Sequence, residues 1–549
     1  MRRIVVLLTS ILASGLLISG CQQIDLKLFV EELVGAAELA TQPDTTPPTI
    51  LSVTPAEGEA GVDRIPSVTV EFSEEMDPAT LSEITFLASS SSISVPATVT
   101  YNETSNTATF VPDNELTLLS QVTVTVTAAV ADAEGNTLSE DYSWSFRVRD
   151  GNWGTMSYLE SSSDSHLSPA VGIDPYGNAT AVWYQNNGRI KSNRYVNDTT
   201  PGWKTMVNVD FDAPSGNGIN PDITVNSAGN AFAVWKHDGA AQDHFRANFF
   251  DGSGGWESTN TVVYNPGGNF TGDIFVDADT EGNAFAVMKL NSSIQVKIDT
   301  GSSWDSAGSV QISTSATANP VIAVSSNGSA IIVYEEGGGD VMADRYTSSN
   351  WHSPGPINVE STTTITDPPR MAIFPDGKAL IVWGVEDDIS GTEVYLHALA
   401  LDGANPGTRA HLATAFEIGH LFEPQVAVSP DGTGIIVYRT EDSEIYAVRY
   451  DGSSWDATEL TSAAVSVGNP HIGMDPMGNA VAVWSEDSNT VFAKRFRNGG
   501  SGWQSTKMPL QSATGSVSVL DIAVSDNGNA VVVWGQTDTY PDIVSNMFK

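Results

Sequence analysis

Six acidic strings recur in this chain from Lys236 onward, and carboxylates in such number suit cation chemistry. They read "KHDGAAQDH", "EEGGGD", "GVEDDISGTE", "RTEDSE", "SEDSN" and "GQTDTYPD". Within them stand Asp238, Glu335, Glu336, Glu386, Asp387, Asp388, Glu441, Asp442, Glu486 and Asp487. Carboxylate oxygens are the ligands that Ca²⁺ prefers, and the same groups suit a cationic partner. Arg370 and His471 each follow a proline at equivalent points of a repeat, and a guanidinium or imidazole there could hold an anion or move a proton. The chain has no HExxH, GxSxG, P-loop or CxxC string, and its eight histidines are scattered without ligand spacing. A glycosidase or lyase would need paired carboxylates, or a His/Tyr/Arg group, at the mouth of a channel.

The elements that must position these residues are repeats. "GNATAVWYQN", "GNAFAVWKHD", "GNAVAVWSED" and "GNAVVVWGQT" are near copies, and the turn glycine recurs at Gly177, Gly229, Gly282, Gly328, Gly377, Gly432, Gly478 and Gly528. Eight units of this all-β pattern predict an eight-bladed β-propeller over residues 150–549, with four strands per blade. Strand A is apolar, as in Pro424–Val428. A turn needing positive φ at its glycine leads into strand B. Strand B ends in Trp183, Trp235, Trp383, Trp484 or Trp534, with Met288, Tyr334 and Tyr438 in the other three units. Strand D opens on Trp203, Trp256, Trp304, Trp351, Trp455 or Trp503.

In this arrangement the repeated string is scaffold, and the loops after strand B share one face. That face would collect the acidic residues as a candidate ligand or Ca²⁺ surface, while Arg370 and His471 would approach the central channel. The fifth blade has the longest such loop, lacks a strand-D tryptophan and carries Arg370, so a specific site is expected beside it. The eighth unit reads as ending in its strand C, at Asp542–Lys549. Residues 152–158, which carry Trp153 in strand-D phase, are predicted to complete that blade and so close the ring from the N-terminal side. Closure leaves no strand edges exposed.

Residues 49–149 alternate with period two in five stretches: Ser67–Phe72, Val95–Tyr101, Thr107–Pro112, Gln121–Val130 and Asp141–Val148. They predict a β-sandwich. The strings "PPTILSVTPAEGEAGV", "VEFSEEMDP" and "ADAEGNTLSEDYSWSF" resemble, in order, the bacterial Ig-like domain of the SbsA type. That resemblance implies a spacer or adhesion module at a cell surface and carries over no catalytic residue. Asp132 and Asn136 occupy a loop of this domain that could take a cation. Sialidases, also propellers, use three arginines converging on a carboxylate, and only Arg370 stands at a strand-A position here.

"MRRIVVLLTSILASGLLISGC" has two arginines, an apolar run too short to span a bilayer comfortably, and then Ile18-Ser19-Gly20-Cys21. These residues resemble the lipobox of bacterial lipoproteins. The resemblance implies a signal peptide at residues 1–20, acylated Cys21 as the new N-terminus, and, with Gln22 next, passage to the outer membrane. Residues 21–48 then form a lipidated tether broken by "TQPDTTPPT". Cys21 is the only cysteine, so no disulfide forms within the chain.

The net charge of −41 repels nucleic acid and anionic surfaces. The expected protein is an all-β, monomeric, envelope-anchored lipoprotein. Its propeller would bind a protein or a glycan without catalysis, with the Ig-like domain as spacer. A polysaccharide lyase or glycosidase and an outer-membrane assembly scaffold are the alternatives. Cys21→Ser is predicted to abolish membrane attachment and metabolic labelling with a fatty acid. An unlabelled wild type would contradict this.

Overall fold

The computed structural model describes residues 44–549 except 91–92, 161–165, 187, 199, 212–215, 240–241, 253, 301–303, 305–308, 338, 348–349, 352–355, 362–363, 387–392, 404, 416–420, 462–465, 512–514 and 538–540. Cys21, the signal and the tether up to residue 43 lie outside the described residues. Among those described, no helix is long and apolar enough to cross a membrane.

Residues 50–148 form two facing sheets. One has the strand order Ile50–Thr54, Val68–Phe72, Thr107–Pro112, Ala97–Asn102. The other runs Ala60–Val62, Tyr142–Val148, Gln121–Val126, Phe86–Ser90, Ile93–Ser94. Alternation decides which side chains turn inward: Val122, Val124 and Val126 are buried while Gln121 and Thr123 are exposed. Val70, Phe72, Phe86, Phe110, Trp144 and Phe146 fill the core. All five expected strands are present, but Gln121–Val126 stops four residues early, where Val130 turns back to bond Thr127. The strands Ile50–Thr54, Ala60–Val62, Phe86–Ser90 and Ile93–Ser94 were not anticipated.

Eight further sheets of four or five strands come next, built from Ser157 to Phe548. The turn glycines between the first and second strands have φ between 77° and 94°, which only glycine adopts without strain. The second strands are almost wholly buried, as in Ala179–Gln185 and Ala480–Glu486.

The fifth residue of each second strand, which the strand continues past instead of ending on, joins consecutive sheets. Trp235 packs with Val182 and Ile190 of the preceding sheet, Trp383 with Ile331 and Val333, Trp484 with Ile435 and Val437, and Trp534 with Val481 and Val483. Trp183 of the first sheet packs with Val531 and Val533 of the eighth. Met288, Tyr334 and Tyr438 do the same in their sheets. The first strands touch in succession, and Ser516–Val524 of the eighth sheet lies against His166–Ile173 of the first.

The eighth sheet takes its outer strand from upstream. Ser157 and Tyr158 pair with Ser545 and Val544, Trp153 bridges Phe548, and the two rings lie 5.3 Å apart. The Gly154 amide donates to the Met547 carbonyl at 2.8 Å.

The Ig-like unit is docked on this ring. Arg64, 2% exposed, donates through Nη1 to Asn529 Oδ1 at 2.5 Å and through Nη2 to the Asn527 carbonyl at 3.0 Å, with Glu115 at 2.8 Å. Leu118 enters the core between the seventh and eighth sheets. Downstream, Asp150 holds Arg497 at 2.6 Å and Arg495 at 3.5 Å, and Arg495 stacks over the Phe548 ring. The contact therefore falls on the turn end of the eighth sheet, opposite the end that carries the acidic loops. Because Leu118 is fully buried, Leu118→Ala should cost about 2–5 kcal/mol. The urea midpoint followed by tryptophan fluorescence should fall accordingly, and an unchanged midpoint would contradict the docking.

Candidate functional site

The acidic residues lie at the far ends of the second strands but do not form a cage. Glu336 turns back to accept from Ser313 Oγ at 2.8 Å and Ser315 Oγ at 3.0 Å. Glu486 is buried, accepts from Trp484 Nε1 at 2.9 Å and pairs with Lys507. Glu335, next to last in its strand, lies opposite Val341, and Glu386 closes its strand opposite Val394. Glu441 and Asp442 sit in a turn, and Asp238 and Asp487 are exposed. Asp387 and Asp388 lie outside the described residues. Among the described residues, no three His, Cys, Asp or Glu side chains converge as a metal site would require. The Ig-like loop is likewise occupied, since Asp132 accepts from the Glu134 and Asn136 amides and from Asn136 Nδ2.

Arg370 and His471 lie on the same inner layer, in the fifth and seventh sheets. They occupy equivalent positions on first strands, opposite Val382 and Val483, in the register shared by Asp222, Gln425 and Asp521. Burial pushes His471 down to about 4, and the Arg370 charge adds to this, so the imidazole is neutral near pH 7. Burial also lowers Arg370, against the opposing pull of Asp367 and Glu423.

The carboxylates of this inner layer have another use, which the sequence reading missed. Asp222 Oδ2 accepts from the Val276 amide of the next sheet at 2.9 Å, and Oδ1 from Ile223 at 3.0 Å. Asp277 takes Val324 at 2.7 Å, and Asp521 takes Val171 at 2.9 Å across the junction of the eighth and first sheets. First strands do not share a ladder, so these carboxylates supply acceptors for amides that would otherwise lack them. Burial pushes Asp222 up to about 7, with Asp521 and Asp277 adding repulsion, and pushes Asp277 and Asp521 up to about 6.

Beside the fifth sheet lies a cleft of about 600 Å³ lined by Glu393, Tyr395, His397, Arg409, His411 and Thr414. Sequence reading pointed to this sheet but named none of these residues. The signal was present in "EVYLHALALDGANPGTRAHLATA", where two of the eight histidines stand 14 residues apart on adjacent strands. His397 and His411 are directly paired across Val394–Asp402 and Ala410–Ala415. Glu360, from the outermost strand of the fourth sheet, pairs with Arg409 and stands 3.8 Å from His397 Nδ1. Burial pushes His397 down to about 4, and the charge of Arg409 adds to this.

Residues 44–148 match the family model described as a bacterial Ig-like domain. No curated protein matches the chain. Among solved structures, the chain is similar to the BP39L lectin from Burkholderia pseudomallei, at 10% identity over 63% of this chain and 99% of that one, with a TM-score of 0.45. It is similar to the polysaccharide lyase Uly1 at 11% identity over 62% and 92%, TM-score 0.39. A variant of the NanB sialidase from Streptococcus pneumoniae gives 10% identity over 88% and 83%, TM-score 0.34. At these values none of the three assigns a ligand or a reaction to this chain.

The inner carboxylates set a pH dependence. An acid whose folded pKa lies above its ordinary value of 3.8 holds its proton more tightly when folded. That stabilisation is complete below about pH 4 and is lost as pH rises through about 7. Melting temperature should therefore fall from pH 5 to pH 8, and Asp222→Asn should flatten part of that fall. An identical pH profile in the variant would contradict the assignment.

Proposed function

We propose that the chain is an envelope-anchored binding lipoprotein: an acylated Cys21, a tether, an Ig-like domain of the SbsA type and an eight-bladed propeller that recognises a glycan or a protein without catalysis. The observation that carries this reading is the use made of the inner carboxylates. Asp222, Asp277 and Asp521 spend their oxygens on amides of the neighbouring sheet, as parts of the scaffold. A general acid or nucleophile would need a carboxylate turned to a substrate. The polar side chains of the fifth sheet suit recognition, and propeller folds serve either purpose.

The anchor would lie upstream of the Ig-like domain, which holds the ring by its turn end through Arg64 and Leu118. The ends of the second strands would thus stay open to a ligand. An outer-membrane location is inferred from the lipobox and Gln22 by family analogy. Ca²⁺ enters this reading only as a surface counter-ion of the acidic loops.

The test is capture of proteins and polysaccharides by the full-length, detergent-solubilised protein, with and without Ca²⁺, together with an assay for new reducing ends. Binding without depolymerisation is expected, equal in the two cation conditions. New reducing ends, or no capture of either class, would overturn the reading.

A further inference from the structure

We infer that the cleft between the outer strands of the fourth and fifth sheets is a binding site for an uncharged pyranose unit of a polysaccharide. This inference rests on the binding reading above and gives it a location and a ligand class.

The cleft is built, not incidental. His397 is 6% exposed, and its Nδ1 has no hydrogen-bond partner although it lines the cavity. That nitrogen is shut off from solvent with Glu360 3.8 Å away, so the imidazole is held in place as part of the cavity wall. The ring stands opposite Trp383, which packs between the fourth and fifth sheets. Other sheets put Lys191, Arg246, Met342 or Phe492 at this place, so a fixed scaffold carries a variable side chain here.

The chemistry of the walls selects the ligand. Tyr395 and His397 are stacked, with centroids 5.9 Å apart, and His411 stands edge-on to both. Such a surface offers ring faces to the apolar side of a sugar. Around it, Thr414 and His411 share a hydrogen bond at 2.8 Å, and Tyr395 donates to Glu393 at 2.6 Å. Hydroxyl, imidazole, guanidinium and carboxylate groups together offer both donors and acceptors, as a polyol requires.

An anion is disfavoured, because Glu360 already pairs with Arg409 and Glu393 adds a second carboxylate. A metal ion is disfavoured, because these side chains do not converge as ligands. Val394, Tyr395 and Glu360 stand near the acidic-loop ends of their sheets, so among the described residues the docked Ig-like unit lies away from the cleft.

The test uses the full chain and a panel of immobilised neutral gluco-, manno-, galacto- and fuco-configured oligosaccharides, with uronic-acid and sialylated oligosaccharides in parallel. Arg409→Ala and His411→Ala are chosen because both side chains are at least partly exposed, and a melting curve confirms each fold. Neutral glycan binding should weaken about tenfold or more in each, the loss of one hydrogen bond to a charged or enclosed group. Lys191→Ala, at the equivalent place in the first sheet, should leave it unchanged. Neutral binding that survives both variants would overturn the cleft while leaving a glycan-binding protein. Binding of acidic glycans alone, or of none, would overturn the ligand class, and the protein arm of the capture experiment then decides the broader reading separately.

Discussion

A four-stranded sheet with two apolar faces cannot stand alone in water, and each sheet of the second domain depends on its neighbours to cover both. The fifth side chain of the second strand meets this constraint. Trp183, Trp235, Trp383, Trp484 and Trp534 are all fully buried against the preceding sheet, and truncating such a residue typically costs about 3–5 kcal/mol. The constraint is cyclic: Trp183 of the first sheet needs Val531 and Val533 of the eighth, hundreds of residues away. Everything else reinforces that junction. Asp521 reaches across it to the Val171 amide, Ser157–Tyr158 covers the last outer edge, and the Ig-like unit presses Leu118 and Arg64 onto the same sheet.

This changes the part played by the Ig-like domain. A spacer joined by a free linker would move independently of the ring. Here Asp150, at the junction, is held by Arg495 and Arg497, and Arg149 reaches the Lys549 carbonyl. Arg64 is buried with its charge met by Glu115 and its remaining donors by carbonyls, the condition under which a buried guanidinium is tolerated. Domain and ring form one contact surface, so the open end of the ring has a defined orientation relative to whatever holds the N-terminus.

Much of this was legible because repetition amplifies weak signals. One turn glycine proves little, but eight at similar spacing, five of them followed by Asn, fix where each second strand begins, and the tryptophan phase led to Trp153 beside Phe548. The candidate site was less legible. Acidic strings looked like a cation surface because sequence does not show that Glu336 folds back onto Ser313 or that Glu486 serves Trp484. Asp222 and Asp521 drew no notice in the sequence, yet their oxygens are occupied by the next sheet. The cleft of the fifth sheet was invisible for a different reason. It joins Glu360 to His397 and Arg409 across two units, and such pairing depends on how far one sheet rotates against the next, which no local period encodes.

The central claim is that the last sheet is completed from upstream and that this junction is as firm as any other. Amide hydrogen exchange measures it directly. Gly154 donates to Met547 and Leu159 to Ile543, while Val531 and Val533 lie in the middle of the same sheet. If the junction holds, the Gly154 and Leu159 amides should exchange only with the cooperative opening of the sheet, as slowly as those of Val531 and Val533. Fast exchange at Gly154 and Leu159, with protection retained at Val531 and Val533, would show an open edge and contradict the account.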